Sequence, residues 1–217
     1  MASHYDLEEQ EQLAQIKHFW AKYGNLITWI LIAVLGAFAA WNGWQYWQRK
    51  SALEAAVLYE ELERAAQAND GEKLRRVWTD IQSKAAGTAQ AQQAGLLAAK
   101  VFQTEGKAED AKAALNFVVS KTSDEGMAAV ARLRLAALEL DAKAYDAALK
   151  ALDAKVPAAF EGLQADRRGD VYQAQGKADE ARQAYKDAYA KLDQAPDYRR
   201  IVEAKLNALG VDPTATP

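Results

Sequence analysis

Two pairs of neighbouring carboxylates, Glu109-Asp110 and Asp179-Glu180, come closest to a catalytic arrangement in this sequence. Paired carboxylates can act as general acid and general base. Each pair, however, follows a Gly-Lys-Ala turn and opens a helix-forming run, where acidic side chains suit the positive end of the helix dipole. We therefore interpret both pairs as helix-start charges.

Metal and cofactor chemistry has little support. The two histidines, His4 and His18, lie fourteen residues apart, and neither has carboxylates or cysteines at ligand spacing. The absence of cysteine excludes disulfides, thiolate metal sites and cysteine nucleophiles. The sequence has no nucleophile–base set and no phosphate-binding loop. We predict that the protein is not an enzyme and has no cofactor, metal site or catalytic residue.

Five residues form a candidate partner-binding groove: Arg132, Arg134, Arg167, Arg168 and Tyr172. The arginines fall on the first helices of adjacent helical repeats, where they could bind an acidic or C-terminal carboxylate ligand. A solvated charged face is the alternative. The formal net charge of −3 argues against a nucleic-acid partner, which would require a basic surface.

One long apolar stretch organises the elements that carry these residues. Residues 26–47 include no charged residue and are closed by Lys22 on one side and Arg49-Lys50 on the other. About 22 residues at 1.5 Å each reach about 33 Å, enough for a hydrocarbon core of about 30 Å. Trp and Tyr residues at both ends match an interfacial belt. We predict a transmembrane helix over 25–48.

Two alternatives compete with a membrane anchor. Ala37-Phe38-Ala39 has the spacing of a signal-peptidase site, but the segment before the apolar stretch is long and acidic, unlike a signal peptide. A buried core helix is the second alternative, yet no other segment is apolar enough to surround it. Basic residues are balanced on the two sides of the span, so their distribution does not orient it.

The span has a candidate packing face of small residues: Ala33, Gly36, Ala40 and Gly43. Small residues at this spacing let another helix approach closely, and lipid contact is the alternative. The N-terminal segment, 1–24, is predicted to be helical with one apolar face. It either lies flat in the headgroup region or continues the helix of the span.

After the span, the chain carries an internal repeat. Turns that begin at Gly106, Ala142 and Gly176 lie 36 and 34 residues apart, the period of helix-turn-helix repeats, and a degenerate earlier turn includes Gly71. The fifth residue after each of the three turns is a small one that permits close helix approach: Ala111, Ala147 and Ala181. Four residues further on, Leu115 and Tyr185 are large but Ala151 is small, so we expect a looser middle repeat.

These patterns predict an all-α protein: one N-terminal transmembrane helix followed by a helical solenoid over 49–210 and a disordered tail over 211–217. About three repeats are expected. Flanking helices over 51–69, 72–86 and 197–209 would act as caps.

The last repeat resembles the tetratricopeptide repeat. The matching small and aromatic positions are Gly169, Tyr172, Gly176, Ala181, Tyr185 and Ala188. The earlier repeats match in part, with Ala142 in place of the turn glycine. Solenoids of this kind present a concave surface for peptides or protein segments.

The whole arrangement resembles the ancillary SecYEG translocon subunits of the YfgM type. The resemblance rests on the acidic stretch 8–11, on Ile-Lys-His-Phe-Trp at 16–20, on the span ending Trp-Gln-Tyr-Trp at 44–47, and on Arg-Gly-Asp-Val-Tyr at 168–172. It implies a cytoplasmic N-terminus, one inner-membrane span and a periplasmic repeat domain. It also implies two partners, the SecYEG channel and a PpiD-type periplasmic chaperone, and makes translocating client proteins a further candidate.

The function implied by this resemblance is a non-catalytic adaptor at the translocon. Two alternatives stay open. A membrane-anchored regulator of an envelope stress or signalling pathway is suggested by the apolar face of the N-terminal segment, and a cytoplasm-facing repeat scaffold differs only in topology.

Overall fold

The computed structural model describes residues 7–192 and 195–213, in which every regular element is an α-helix. The helices are α1 (Leu7–Gln67), α2 (Gly71–Lys84), α3 (Ala89–Thr104), α4 (Ala108–Lys121), α5 (Glu125–Asp141), α6 (Tyr145–Ala151), α7 (Ala158–Ala174), α8 (Ala178–Lys191) and α9 (Pro196–Ala208). The predicted all-α class is confirmed. His4 and residues 214–217 of the predicted tail lie outside the described residues.

The chain divides into two compact units, residues 1–51 and 52–217, and the boundary falls within α1. The described part of the first unit is a single helix whose most apolar 18 residues have a mean hydropathy of 1.8. It is long and apolar enough to cross a membrane. Its large apolar side chains are exposed, for example Leu35 at 64% and Phe38 at 66%.

Helix α1 is longer than any element predicted from the sequence, because it runs without a break through the predicted ends of the span near residues 24 and 50. The first proline of the chain is Pro157, so nothing in α1 removes a backbone donor. Isolated helical glycines such as Gly24 and Gly36 cost only about 1 kcal/mol each relative to alanine. The described part of the N-terminal segment therefore continues the helix of the span.

The second unit repeats one helix ending five times. A residue with positive φ follows each of α1, α3, α5, α7 and α9, and these residues are Asn69, Gly106, Lys143, Gly176 and Gly210, with φ of 52°, 73°, 57°, 75° and 75°. At each of them two backbone N–H groups bond back to the preceding helix, as Gly106 N does to Gln103 O at 3.0 Å and Lys107 N to Phe102 O at 2.8 Å. The first of these turns is therefore at Asn69, two residues before Gly71.

The structure corrects the register of the middle repeat. Its left-handed residue is Lys143, one position after the predicted Ala142. The small residue at the helix crossing is consequently Ala148, which is 0% exposed, whereas Ala147 is exposed. Leu152, 0% exposed, takes the place assigned to Ala151, so this position is filled by a large side chain and the prediction of a looser middle repeat was wrong there.

Within the described residues, these turns define four helix hairpins, and a single helix follows the last of them. The hairpins pair the end of α1 with α2, α3 with α4, α5 with α6, and α7 with α8, and α9 closes the series. The predicted three repeats are thus preceded by a fourth hairpin. Its side chains, including Leu62, Leu74 and Trp78, belong to the same apolar cluster as Phe102 and Leu115.

Two kinds of helix start occur in the repeat unit. The first helices α3 and α5 begin after residues whose side chains cap them: Thr88 accepts from Ala91 N at 3.1 Å, and Asp124 accepts from Met127 N at 2.9 Å. The second helices α4 and α8 have no side-chain cap and carry Glu109-Asp110 and Asp179-Glu180 in their first turns. The two carboxylate pairs therefore occupy the helix-start positions predicted for them.

A candidate partner-binding surface of the repeat unit

One of the two candidate arginines of α5 contacts the preceding repeat. Arg134 is exposed, and its Nη1 donates to the carbonyl oxygen of Leu96 on α3 at 3.2 Å. Arg132, two residues earlier, is half-buried. The Arg134 guanidinium therefore lies one helical turn from Lys100 along α3.

The candidate residues of α7 have partners of their own. Arg167 Nη1 lies 3.3 Å from Asp170 Oδ2 on the same helix. Arg168 Nη2 donates to the carbonyl oxygen of Leu152 at 2.6 Å and lies 3.5 Å from Asp153 Oδ1. Arg168 thus binds a carbonyl at the end of α6.

Tyr172, the fifth candidate, is half-buried, with the Lys177 ammonium 6.0 Å from its ring centroid. Arg134 and Arg167 occupy equivalent places, each nine residues before the left-handed residue of its repeat. The contacts made by Arg168 differ from those of both. Partner binding by this set of five stays a prediction.

The predicted packing face of the span is exposed in the described part of the first unit. Ala33, Gly36, Ala40 and Gly43 are all exposed. A Cβ atom added to Gly36 or Gly43 would meet nothing within 4 Å. Helix packing on this face also stays a prediction.

A buried ionic cluster joins the last three helices and was missed by the sequence analysis. The Lys205 ammonium on α9 lies 2.7 Å from Asp166 Oδ1 and 2.6 Å from Asp170 Oδ1 on α7. Tyr185 of α8 donates its hydroxyl to Asp170 at 2.9 Å, and Tyr198 of α9 donates to Asp166 at 2.7 Å. Asp166 is 1% exposed. The four-residue spacing of the two aspartates on one helical face was the only signal available in the sequence.

The tyrosine hydroxyls of this cluster are held in their neutral form. Burial raises the pKa of the Tyr185 hydroxyl most strongly, and the charge of Asp170 and its hydrogen bond add to the effect. Burial also raises the pKa of Tyr198, followed by its hydrogen bond to Asp166. Both hydroxyls therefore remain hydrogen-bond donors that help to satisfy the buried carboxylates.

A cavity between the end of α1 and α3 is the second feature that the sequence analysis missed. We call it the α1/α3 cavity. Its volume is about 390 Å³, and its lining residues are Ala66, Gln67, Asn69, Leu97, Lys100, Val101, Thr104 and Glu105. Leu97 and Val101 are half-buried and pack on the first apolar cluster. This volume lies within the range of about 300–1,000 Å³ that is typical of ligand pockets.

Comparison with known proteins places the arrangement in a family. The model of a tetratricopeptide repeat-like domain matches residues 17–211. Among curated proteins, the ancillary SecYEG translocon subunit of Neisseria gonorrhoeae is 33% identical over 213 residues, covering 96% of this chain and 100% of that protein. The chain belongs to the family of ancillary SecYEG translocon subunits. The Escherichia coli member is 30% identical over 203 residues, covering 94% of this chain and 97% of its own length.

Membership of the ancillary SecYEG translocon subunits confirms the resemblance noted in the sequence. A third member, from Haemophilus influenzae, is 26% identical over 205 residues and covers 94% of this chain and 99% of its own length. The similarity therefore extends through both the apolar helix and the repeats. The family model that matches most of the chain describes a non-catalytic kind of domain, a helical repeat.

Proposed function

We propose that the protein is a non-catalytic adaptor anchored in the bacterial inner membrane beside the SecYEG translocon. The first part of α1 spans the membrane once. The repeat unit then holds a periplasmic partner, either a PpiD-type chaperone or an emerging client chain. This function involves no catalysed reaction and depends on protein binding alone.

The observation that carries the proposal is the full-length similarity to proteins named as ancillary SecYEG translocon subunits. A protein of this family needs a way to stay at the membrane, and α1 supplies a helix apolar enough to span it. It also needs a surface for other proteins, and stacked helical hairpins supply an extended one.

Co-purification tests the association with the translocon. The full chain, tagged after Leu209, is extracted with SecYEG in mild detergent, and we expect SecYEG to be recovered with it. The control variant replaces residues 26–47 with an unrelated apolar helix of equal length, so that membrane anchoring is kept. Equal SecYEG recovery with both chains would show that the sequence of the span is not needed for the association, and absence of SecYEG with both would contradict the proposal.

Topology is tested separately. A reporter enzyme active only in the periplasm, fused after Leu209, is expected to be active, and the repeat unit is expected to be digested by protease in spheroplasts. Protection of the repeat unit would instead favour a cytoplasm-facing scaffold.

A regulatory role is the second candidate, because apolar side chains of the N-terminal segment are exposed, including Leu13 at 43% and Ile16 at 64%. A cytoplasmic regulator could bind this face. Deleting residues 2–16 should then abolish signalling and leave SecYEG recovery unchanged. Unchanged signalling would remove this candidate.

A further inference from the structure

The α1/α3 cavity differs from the corresponding places in later repeats. Leu97 and Lys100 lie nine and six residues before their left-handed residue. The equivalent positions in the last repeat hold Arg167 and Asp170, which pair with each other at 3.3 Å. The position of Leu97 in the middle repeat holds Arg134. Among the described repeats, only the one that lines the α1/α3 cavity therefore has an apolar residue nine positions before its left-handed residue and a lysine six positions before it.

The floor of the cavity is apolar and ordered. Leu97 and Val101 project from successive turns of α3, and Ala66 lies opposite them near the end of α1. All three are half-buried and pack against the apolar cluster of the first two hairpins. An apolar side chain placed here would lose contact with water without displacing the core.

The charges around the cavity leave one cation unpaired. Lys100 is exposed, and within residues 7–192 and 195–213 no carboxylate oxygen lies within 4 Å of its ammonium. The carboxylate of the lining residue Glu105 is occupied by the Lys107 ammonium at 2.8 Å. The Arg134 guanidinium of α5 is held at the Leu96 carbonyl of α3 and does not line the cavity. The cavity therefore combines an apolar floor with the unpaired ammonium of Lys100.

We propose that the α1/α3 cavity binds a peptide segment in which an apolar side chain is flanked by carboxylates. The apolar side chain enters between Leu97 and Val101, and a neighbouring carboxylate pairs with Lys100. This inference rests on the proposed adaptor function, because it specifies the chemistry of the protein segment that the repeat unit holds. Opposite charge at the rim sets the register and excludes segments with basic flanks.

The test uses the full-length protein in detergent micelles and two fluorescein-labelled peptides, Ser-Gly-Asp-Leu-Asp-Gly-Ser and Ser-Gly-Lys-Leu-Lys-Gly-Ser. Fluorescence anisotropy measures the Kd of each. We expect the acidic peptide to bind about tenfold more tightly, as when an exposed attractive ion pair is exchanged for a repulsive one. Replacing the central leucine of the acidic peptide by alanine should weaken binding further.

Charge reversal tests whether the preference comes from the ion pair between Lys100 and the peptide carboxylates or from a change in the fold. Lys100→Glu should invert the preference, so that the basic peptide binds more tightly. The matched control is Lys186→Glu, which reverses another exposed lysine, in the middle of α8, and should leave both Kd values unchanged. Equal binding of the two peptides, absence of binding by either, or the same effect from both variants would overturn the proposal.

The same variants distinguish this inference from the adaptor function. SecYEG recovery with Lys100→Glu is measured beside the peptide affinities. Normal recovery without any charge preference overturns the cavity assignment alone. Absence of SecYEG recovery from the unaltered chain, together with an inverted preference in Lys100→Glu, supports the cavity assignment and contradicts the adaptor function.

Discussion

Replacing Lys205 by methionine tests whether the buried ionic cluster holds the last helix in place. The Lys205 ammonium binds Asp166 at 2.7 Å and Asp170 at 2.6 Å. Asp166 is 1% exposed, and without Lys205 its remaining hydrogen bond among the described residues comes from the Tyr198 hydroxyl. The variant therefore leaves a buried carboxylate without a cation.

The size of the effect follows from burial. Removing one partner of a buried ion pair costs about 3–5 kcal/mol. The Lys205 side chain is 26% exposed, so water can hydrate part of the cluster, and we expect about 3 kcal/mol, the lower end of that range. Arg200→Met on the same helix removes a pair 3.8 Å long whose side chains are 79% and 98% exposed. This control should cost less than about 1 kcal/mol.

Amide hydrogen exchange of the full chain in detergent micelles measures both variants. A loss of about 3 kcal/mol should accelerate exchange in α9 by about 100-fold, while α3 should be unaffected because repeats couple mainly to their neighbours. Equal exchange of α9 in Lys205→Met and Arg200→Met would refute the reasoning. Uniform acceleration throughout the repeat unit would refute the local character of the cluster.

Three further predictions address the repeat register, the pH dependence and the span. Ala148→Leu should destabilise the protein by about 1–3 kcal/mol and Ala147→Leu by less than about 0.5 kcal/mol in equilibrium denaturation, and the reverse order would contradict the register. The pKa of Tyr185 is raised in the folded state, so the unfolded chain loses this proton first and the free energy of unfolding should fall above about pH 10. Tyr185→Phe should reduce this pH dependence by up to about 1.4 kcal/mol per pH unit, and an unchanged pH dependence would count against burial as the cause of the raised pKa. If the small-residue face of the span packs on a partner helix, Gly36→Ile should lower SecYEG recovery and the control Leu35→Ile should leave it unchanged. Equal recovery with both variants would indicate that this face contacts lipid.

Much of the fold could be predicted because its signals are local. The apolar stretch over 26–47 has the length and composition of a span regardless of the residues that come after it. The turn spacing of 34 and 36 residues and the carboxylates at helix starts can likewise be recognised from short stretches of sequence. The lining of the α1/α3 cavity was not predicted, because Ala66 and Leu97 are brought together only by the packing of two hairpins.

The middle turn shows where local signals fail. Asp-Ala-Lys-Ala offers no glycine, so the sequence leaves Ala142 and Lys143 as competing left-handed residues. The left-handed conformation costs either residue about 1–2 kcal/mol, so the backbone does not choose between them. The shift, however, fully buries Leu152, which contributes about 1.5–3 kcal/mol, and brings Ala148 to the helix crossing. Packing against the neighbouring helices therefore decides the register.

The sequence by itself determined the helical class, the apolar helix and the approximate repeat period, because each depends on residues close together in the chain. Tertiary structure alone decided which side chains meet across repeats. Lys205 reaches Asp166 over 39 residues, and Arg134 reaches Leu96 over 38. Such pairs depend on the rotation and stacking of whole hairpins, and a shift of one residue at a single turn changes which side of a helix is buried, as the exchange of Ala147 for Ala148 demonstrates.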